Sequence, residues 1–175
     1  ELLRKMHQEK VMSLAITPDG TLAIVGSYDR TVRVWCLEQG CLLKLLEGHM
    51  GGVYTVAITA DKRFLISGSV DRTIRIWSNQ MLEPVRPISG HSAAVSDVAL
   101  ANDQRTLVSA SADQTLRVWN SCSGEMLRVL EGHTGRVTAV SMPHSGFSVI
   151  SGSDDSTVRV WDTLTGHNLL VLEGH

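Results

Sequence analysis

Tryptophan stands at Trp35, Trp77, Trp119 and Trp161 and nowhere else in the 175 residues, each 42 residues after the last. The aspartates Asp29, Asp71, Asp113 and Asp155 keep the same step, as do His7, His49, His91, His133 and His175. Three residue types in one register, with no insertion or deletion, mean a single structural unit used four times. A unit of this size cannot bury its own apolar surface and must stack on its neighbours.

Within the first unit, short apolar runs lie at Val11–Ile16, Leu22–Gly26, Val32–Trp35 and Leu42–Leu46. They have the usual length of strands, about five or six residues. Turn chemistry separates them. Thr17-Pro18-Asp19-Gly20 combines three turn-forming residues, and Tyr28-Asp29-Arg30-Thr31 makes the next turn. The third run alternates strictly, as Thr31-Val32-Arg33-Val34-Trp35 and its three copies do, and period two means strand. No segment carries the period of a long amphipathic helix. The fourth run of the second unit holds Pro84 and Pro87, which predicts the outermost strand of its sheet, because proline cannot donate to a ladder.

Gly-His at 48–49, 90–91, 132–133 and 174–175, Ser-Gly-Ser at 67–69 and 151–153, the turn aspartate, and Trp161-Asp162 closely resemble the WD-repeat (WD40) family. The resemblance covers essentially the whole chain. It implies an all-β propeller with four WD-type blades of four antiparallel strands each. Blades are expected at approximately 7–48, 49–90, 91–132 and 133–175, with 1–6 the end of a preceding outer strand. Such rings commonly close with about seven or eight blades, so the chain is expected to be a partial ring or half of a larger one. Gly174-His175 reads as the opening of a further unit, and Glu1–Arg4 fall where Leu43–Leu46 fall one repeat later.

The resemblance also implies a hydrogen-bonded tetrad in three blades: His49, Ser67, Asp71 and Trp77; His91, Ser109, Asp113 and Trp119; His133, Ser151, Asp155 and Trp161. The first unit departs from the pattern. Met6-His7 replaces Gly-His, and Val25 stands where the others carry serine, so that blade is expected to be less well tied together. Ser, His and Asp also spell a hydrolase triad. One such group would suggest a nucleophile, whereas three equivalent copies are a building rule, and no Gly-x-Ser-x-Gly elbow exposes a serine. No catalytic residue, metal or cofactor is expected.

Other candidates are weaker. Five of the seven histidines recur once per unit, and His144 and His167 have no ligand partners at zinc spacing. Cys36, Cys41 and Cys122 form no CxxC pair and read as free thiols in a reducing compartment, which points to an intracellular, cytoplasmic setting. Arg33, Arg75, Arg117 and Arg159 form a column open to two readings: a track for phosphate or a structural role between blades. The net charge of −2 favours the second, so no nucleic acid is expected. No apolar run reaches the roughly 18 residues of a membrane span, so no membrane is expected.

In this family, partners commonly dock on the top face, at positions flanking the first valine of each unit and preceding the turn aspartate. Here these are Lys10, Met12 and Tyr28; Gly52, Tyr54 and Val70; Ala94, Ser96 and Ala112; Arg136, Thr138 and Asp154. Tyrosine and arginine are favoured anchors, and both tyrosines of the chain fall in this set. The expected function is a non-catalytic protein-interaction scaffold or ligand-sensing module that binds proteins or peptides. Its ring would be completed by further blades of the same chain or by a second copy. The alternative is a self-assembling half-propeller, an eight-bladed homodimer with a peptide or small-molecule site in its central channel. Nucleic-acid binding and hydrolysis are disfavoured.

Overall fold

A computed structural model describes residues 10–78, 84–143 and 147–174. Among the described residues, sixteen strands follow one another with no helix between them. The first sheet is built from β1 (Val11–Ile16), β2 (Leu22–Ser27), β3 (Val32–Cys36) and β4 (Cys41–Leu46). The second uses β5 (Val53–Ile58), β6 (Phe64–Ser69), β7 (Thr73–Ser78) and β8 (Pro84–Ser89). The third uses β9 (Val95–Leu100), β10 (Thr106–Ser111), β11 (Leu116–Asn120) and β12 (Met126–Leu130). The fourth uses β13 (Val137–Ser141), β14 (Ser148–Ser153), β15 (Thr157–Asp162) and β16 (Asn168–Glu173). Each sheet is an antiparallel meander in chain order, and the proline-bearing β8 lies at its sheet's edge.

The turns are set by local chemistry. In the β1–β2 connection Gly20 takes φ +69° and donates its N–H to the Thr17 carbonyl at 2.8 Å. The β2–β3 turn is repeated in all four blades. Arg30, Arg72, Gln114 and Ser156 stand at φ between +66° and +72°. The preceding aspartate stabilises this conformation: in blade two, Asp71 Oδ1 accepts the Thr73 N–H at 2.9 Å and the Thr73 hydroxyl at 2.6 Å.

The first strands β1, β5, β9 and β13 lie side by side, so the blades converge on them. The core sits between blades. Ile24, Val32, Val34 and Leu46 of blade one pack on Val53, Val56, Leu65 and Trp77 of blade two. The same columns build the joint between blades two and three, and again between three and four. Each blade thus has a leading and a trailing apolar face. The ends of the stack are uncovered and the ring is not closed. Val53, Val95 and Val137 are fully buried, while Val11 in the same column is 55% exposed. Ile24, Ile66 and Val108 are buried, while Ile150 is 38% exposed.

These two columns allow a direct test. Ile66→Ala is expected to cost about 2–5 kcal/mol, as for a packed core residue, and Ile150→Ala less than half of that. Urea unfolding of the two variants of the monomeric chain measures the difference.

Candidate functional site

The three tetrads are assembled alike. In blade two, Trp77 Nε1–H donates to Ser67 Oγ at 2.8 Å, and Ser67 Oγ lies 2.8 Å from His49 Nε2. His49 Nδ1 lies 2.7 Å from Asp71 Oδ2, which also accepts the Met50 N–H at 2.8 Å. One donor order satisfies every group: indole to serine, serine to imidazole, imidazole Nδ1–H to carboxylate. Blade three repeats it with Trp119, Ser109, His91 and Asp113. Blade four repeats it with Trp161, Ser151, His133 and Asp155.

The direction of the serine and histidine bonds is that of a hydrolase triad. The surroundings are not. Ser67, Ser109 and Ser151 are at most 1% exposed, and each hydroxyl is capped by an indole N–H. A substrate carbonyl has no approach to oxygens in that position. These are buried polar groups that satisfy one another and thereby hold a turn, two strands and the incoming linker together.

Two arginines of the column lie over tryptophans whose rings sit in the joints between blades. The Arg75 and Arg159 guanidinium carbons lie 5.9 Å from the ring centroids of Trp77 and Trp161. They also press on the linker: a Cβ on Gly48 would stand 2.7 Å from Arg75 Nη1, and Gly48 has φ +147°. Glycine at 48 is therefore required both by backbone conformation and by space. Blade one differs. Val25 offers no hydroxyl, Arg33 Nη1 turns instead to Asp29 Oδ2 at 2.7 Å, and Trp35 is only half-buried. His7, His144 and His175 lie outside the described residues. His167 stands exposed in the β15–β16 loop. Among the described residues, no three His, Cys, Asp or Glu side chains are grouped to hold a metal ion.

A polar chain along the first strands also joins neighbouring blades, which sequence reasoning missed. Ser13 Oγ accepts the Val56 N–H at 3.2 Å, Thr55 Oγ1 donates to Asp97 Oδ1 at 2.9 Å, and Asp97 Oδ2 accepts the Val140 N–H at 3.0 Å. The signal was present: Asp97 is the one charged residue in the column Ser13, Thr55, Asp97, Ala139.

The same strands carry the candidate partner surface. Each has a β-bulge, and the extra residue is Met12, Tyr54, Ser96 or Thr138. A bulge re-aims a side chain away from the regular ladder. Above each bulge one backbone bond recurs. Tyr28 N–H donates to the Lys10 carbonyl, Val70 to Gly52, Ala112 to Ala94, and Asp154 to Arg136, all at 2.9–3.0 Å. The three positions expected in each blade are thus brought together on one rigid frame. Lys10, Met12, Tyr28, Val70, Arg136, Thr138 and Asp154 are exposed, and Tyr54, Ser96, Ala94 and Ala112 half-exposed. Arg136 Nε reaches Ser96 Oγ at 3.3 Å across the joint between blades three and four. Gly52 is buried under the Tyr28 ring, where a Cβ would stand 2.8 Å from Cδ2. Between blades one and two lies a cleft of about 540 Å³, lined by Tyr28, Asp29, Arg30, Met50, Gly51, Gly52 and Val70. Met50, 80% exposed, was not foreseen.

The family model for the WD domain, G-beta repeat, matches residues 1–36, 40–78, 82–120 and 124–162. The chain belongs to the WD40 repeat family. Matched segments such as 40–78 run from one blade's outer strand to the next blade's third strand, so WD40 repeat and sheet are out of phase by one strand. Among curated proteins, the chain is 41% identical over 49 residues to transducin beta-like protein 3 of Mus musculus. To its counterpart in Homo sapiens it is 39% identical over 49 residues. The matched stretch is 28% of this chain and 6% of each relative's length.

The tetrad aspartates couple this scaffold to pH. Burial acts to raise the Asp71 carboxyl, but hydrogen bonds from His49, Thr73 and the Met50 N–H outweigh it and hold the group well below its ordinary 3.8. Asp113 and Asp155 are lowered in the same way. A folded-state value below the unfolded one contributes stability that is present above about pH 4 and lost as the pH falls through the folded value. Asp71→Asn should therefore flatten part of the fall in unfolding free energy below about pH 4. Ser67→Ala should cost about 1–3 kcal/mol for each of the two buried partners it strands, by urea unfolding at neutral pH.

Proposed function

We propose that this chain is a non-catalytic protein-interaction module and that its partner docks on the face carrying Lys10, Met12, Tyr28, Tyr54, Val70, Ser96, Arg136, Thr138 and Asp154. The observation that carries this reading is the cleft between blades one and two. Tyr28, Met50 and Val70 hold apolar surface open to solvent there, on backbone fixed by recurrent hydrogen bonds. Exposed apolar surface on a rigid frame marks a binding site more often than a defect. Arg30 lines the cleft, and Arg72 follows Val70 by two residues. A peptide with an apolar side chain beside a carboxylate fits that chemistry. WD40 membership supports the general role, and a shared fold leaves the partner to be found. The reading extends to an intracellular protein that takes no nucleic acid or membrane as partner.

A second reading concerns the uncovered faces. Val11, Leu14 and Ile16 at one end and Ile150 and Leu172 at the other are exposed. The three internal joints show what such faces pack against. Further blades, or a second copy forming an eight-bladed ring about a two-fold axis, would cover them. A central-channel site for a peptide or small molecule would follow from the second arrangement.

Two experiments address these readings. Selection from a random peptide library should return sequences with an apolar residue next to an acidic one. Tyr28→Ala should weaken the selected peptides about tenfold or more, with Leu127→Ala on an outer strand as the unaffected control. Unchanged binding in Tyr28→Ala would remove the cleft from the proposal. If a second copy completes the ring, sedimentation of the isolated chain gives a species of twice the monomer mass, and a folded monomer with full β signal would overturn that arrangement.

A further inference from the structure

Cys36 ends β3 and Cys41 opens β4, and the two are directly opposed in the register of that antiparallel pair. Opposed residues project to the same side of a sheet with Cβ atoms about 4.5–5.5 Å apart. Their Cα separation, about 5.5 Å or less, is inside the range that a disulfide spans. Both sulfurs sit around one residue of the connecting loop. Cys36 Sγ accepts the Gln39 N–H at 3.4 Å, and the Cys41 thiol donates to Gln39 Oε1 at 3.5 Å. Both thiols are partly exposed. Gly40 closes the loop at φ +61° with open space around it, so the hairpin end can adjust without clashing.

This arrangement is not part of the repeated pattern. One, two and three repeats further on, Ser78, Asn120 and Asp162 stand in the Cys36 column, and Glu83, Glu125 and His167 in the Cys41 column. The thiol pair is a property of blade one alone. That is also the blade in which valine replaces the tetrad serine and the tryptophan is only half-buried. Cys122, the third cysteine, is exposed on the β11–β12 loop two blades away and faces no second thiol.

We propose that Cys36 and Cys41 form a modification site, a dithiol that a hydroperoxide closes to a cross-strand disulfide and that a cellular thiol reopens. One thiolate attacks the peroxide, the O–O bond breaks, and a sulfenic acid forms as hydroxide leaves and is protonated to water. The opposed thiol then displaces the sulfenic oxygen as a second water and forms the S–S bond. Two thiols and one hydrogen peroxide give one disulfide and two waters, with two electrons passing from sulfur to peroxide. Two glutathione molecules reverse the step, each losing a proton and an electron as glutathione disulfide forms and both protein thiols are restored. Closure fastens the outer strand β4 to β3 just beyond the weakest tetrad position.

Peptide mapping of the intact chain tests this. Trypsin releases the segment from Val34 to Lys44 with both cysteines in it, and a second cut after Glu38 separates them. After treatment with hydrogen peroxide, the two halves are expected to remain joined and to have lost the mass of two hydrogen atoms. Glutathione should then separate them. The number of alkylatable thiols should fall from three to one, the remaining one at Cys122. Cys122→Ser should keep the linkage and Cys36→Ser should abolish it, each with unchanged circular dichroism. Halves that separate after peroxide, chains linked to one another, or over-oxidised single sulfurs in place of the linkage would each overturn the proposal.

Discussion

A small sheet of four short strands has two apolar faces, and among the described residues there is no helix to cover either of them. Everything in the architecture answers that constraint. Isoleucine, valine and leucine columns on the trailing face of one blade meet valines and the tryptophan on the leading face of the next. Because the contact is the same at every joint, the stack can be extended without new design, and it leaves apolar surface wherever it stops. The exposure of Val11, Leu14 and Ile150 is the direct result.

Apolar packing alone would tolerate sliding of one sheet over the next, since it has no strong directionality. The polar tetrads supply direction within each blade. Each ties the incoming linker, through histidine and the following N–H, to a turn aspartate and to a serine on the second strand. The tryptophan takes part in both systems, with its ring in the joint and its N–H on the serine. Asp97 extends the polar control across two joints, where it accepts a hydroxyl from one neighbour and a backbone N–H in the other. The buried polar groups that resemble catalytic machinery are thus the ones that define how a blade is held.

A frame tied at each tetrad can vary where the ladder is interrupted. The bulge residues and the residues ahead of each turn aspartate differ from blade to blade, although their backbones are bonded alike. Chemistry can therefore change on that face without cost to the fold, as is usual for loops held by a rigid scaffold. Glycine at 52 leaves room for the Tyr28 ring, since a Cβ there would stand 2.8 Å from its Cδ2.

The 42-residue period, the alternation of the third strands and the turn residues determined from sequence alone the number of blades, the strand identities and the edge position of the proline-bearing strand. They did so because periodicity and turn propensity are local properties that each repeat states again. The tetrad members and the triplets beside each bulge were named from the family resemblance, carried over column by column. Tertiary structure alone decided the rest. Ile66 and Ile150 occupy the same sequence column, and only the presence or absence of a following blade separates a core residue from an exposed one. Arg33 and Arg75 likewise share a column, yet one bonds an aspartate and the other lies over a tryptophan. Met50, Asp97 and the opposition of Cys36 to Cys41 depend on which strands meet and in what register. For Met50 and Asp97 that is a relation between distant parts of the chain, which no local pattern carries, and for the two cysteines it is the register of a single hairpin.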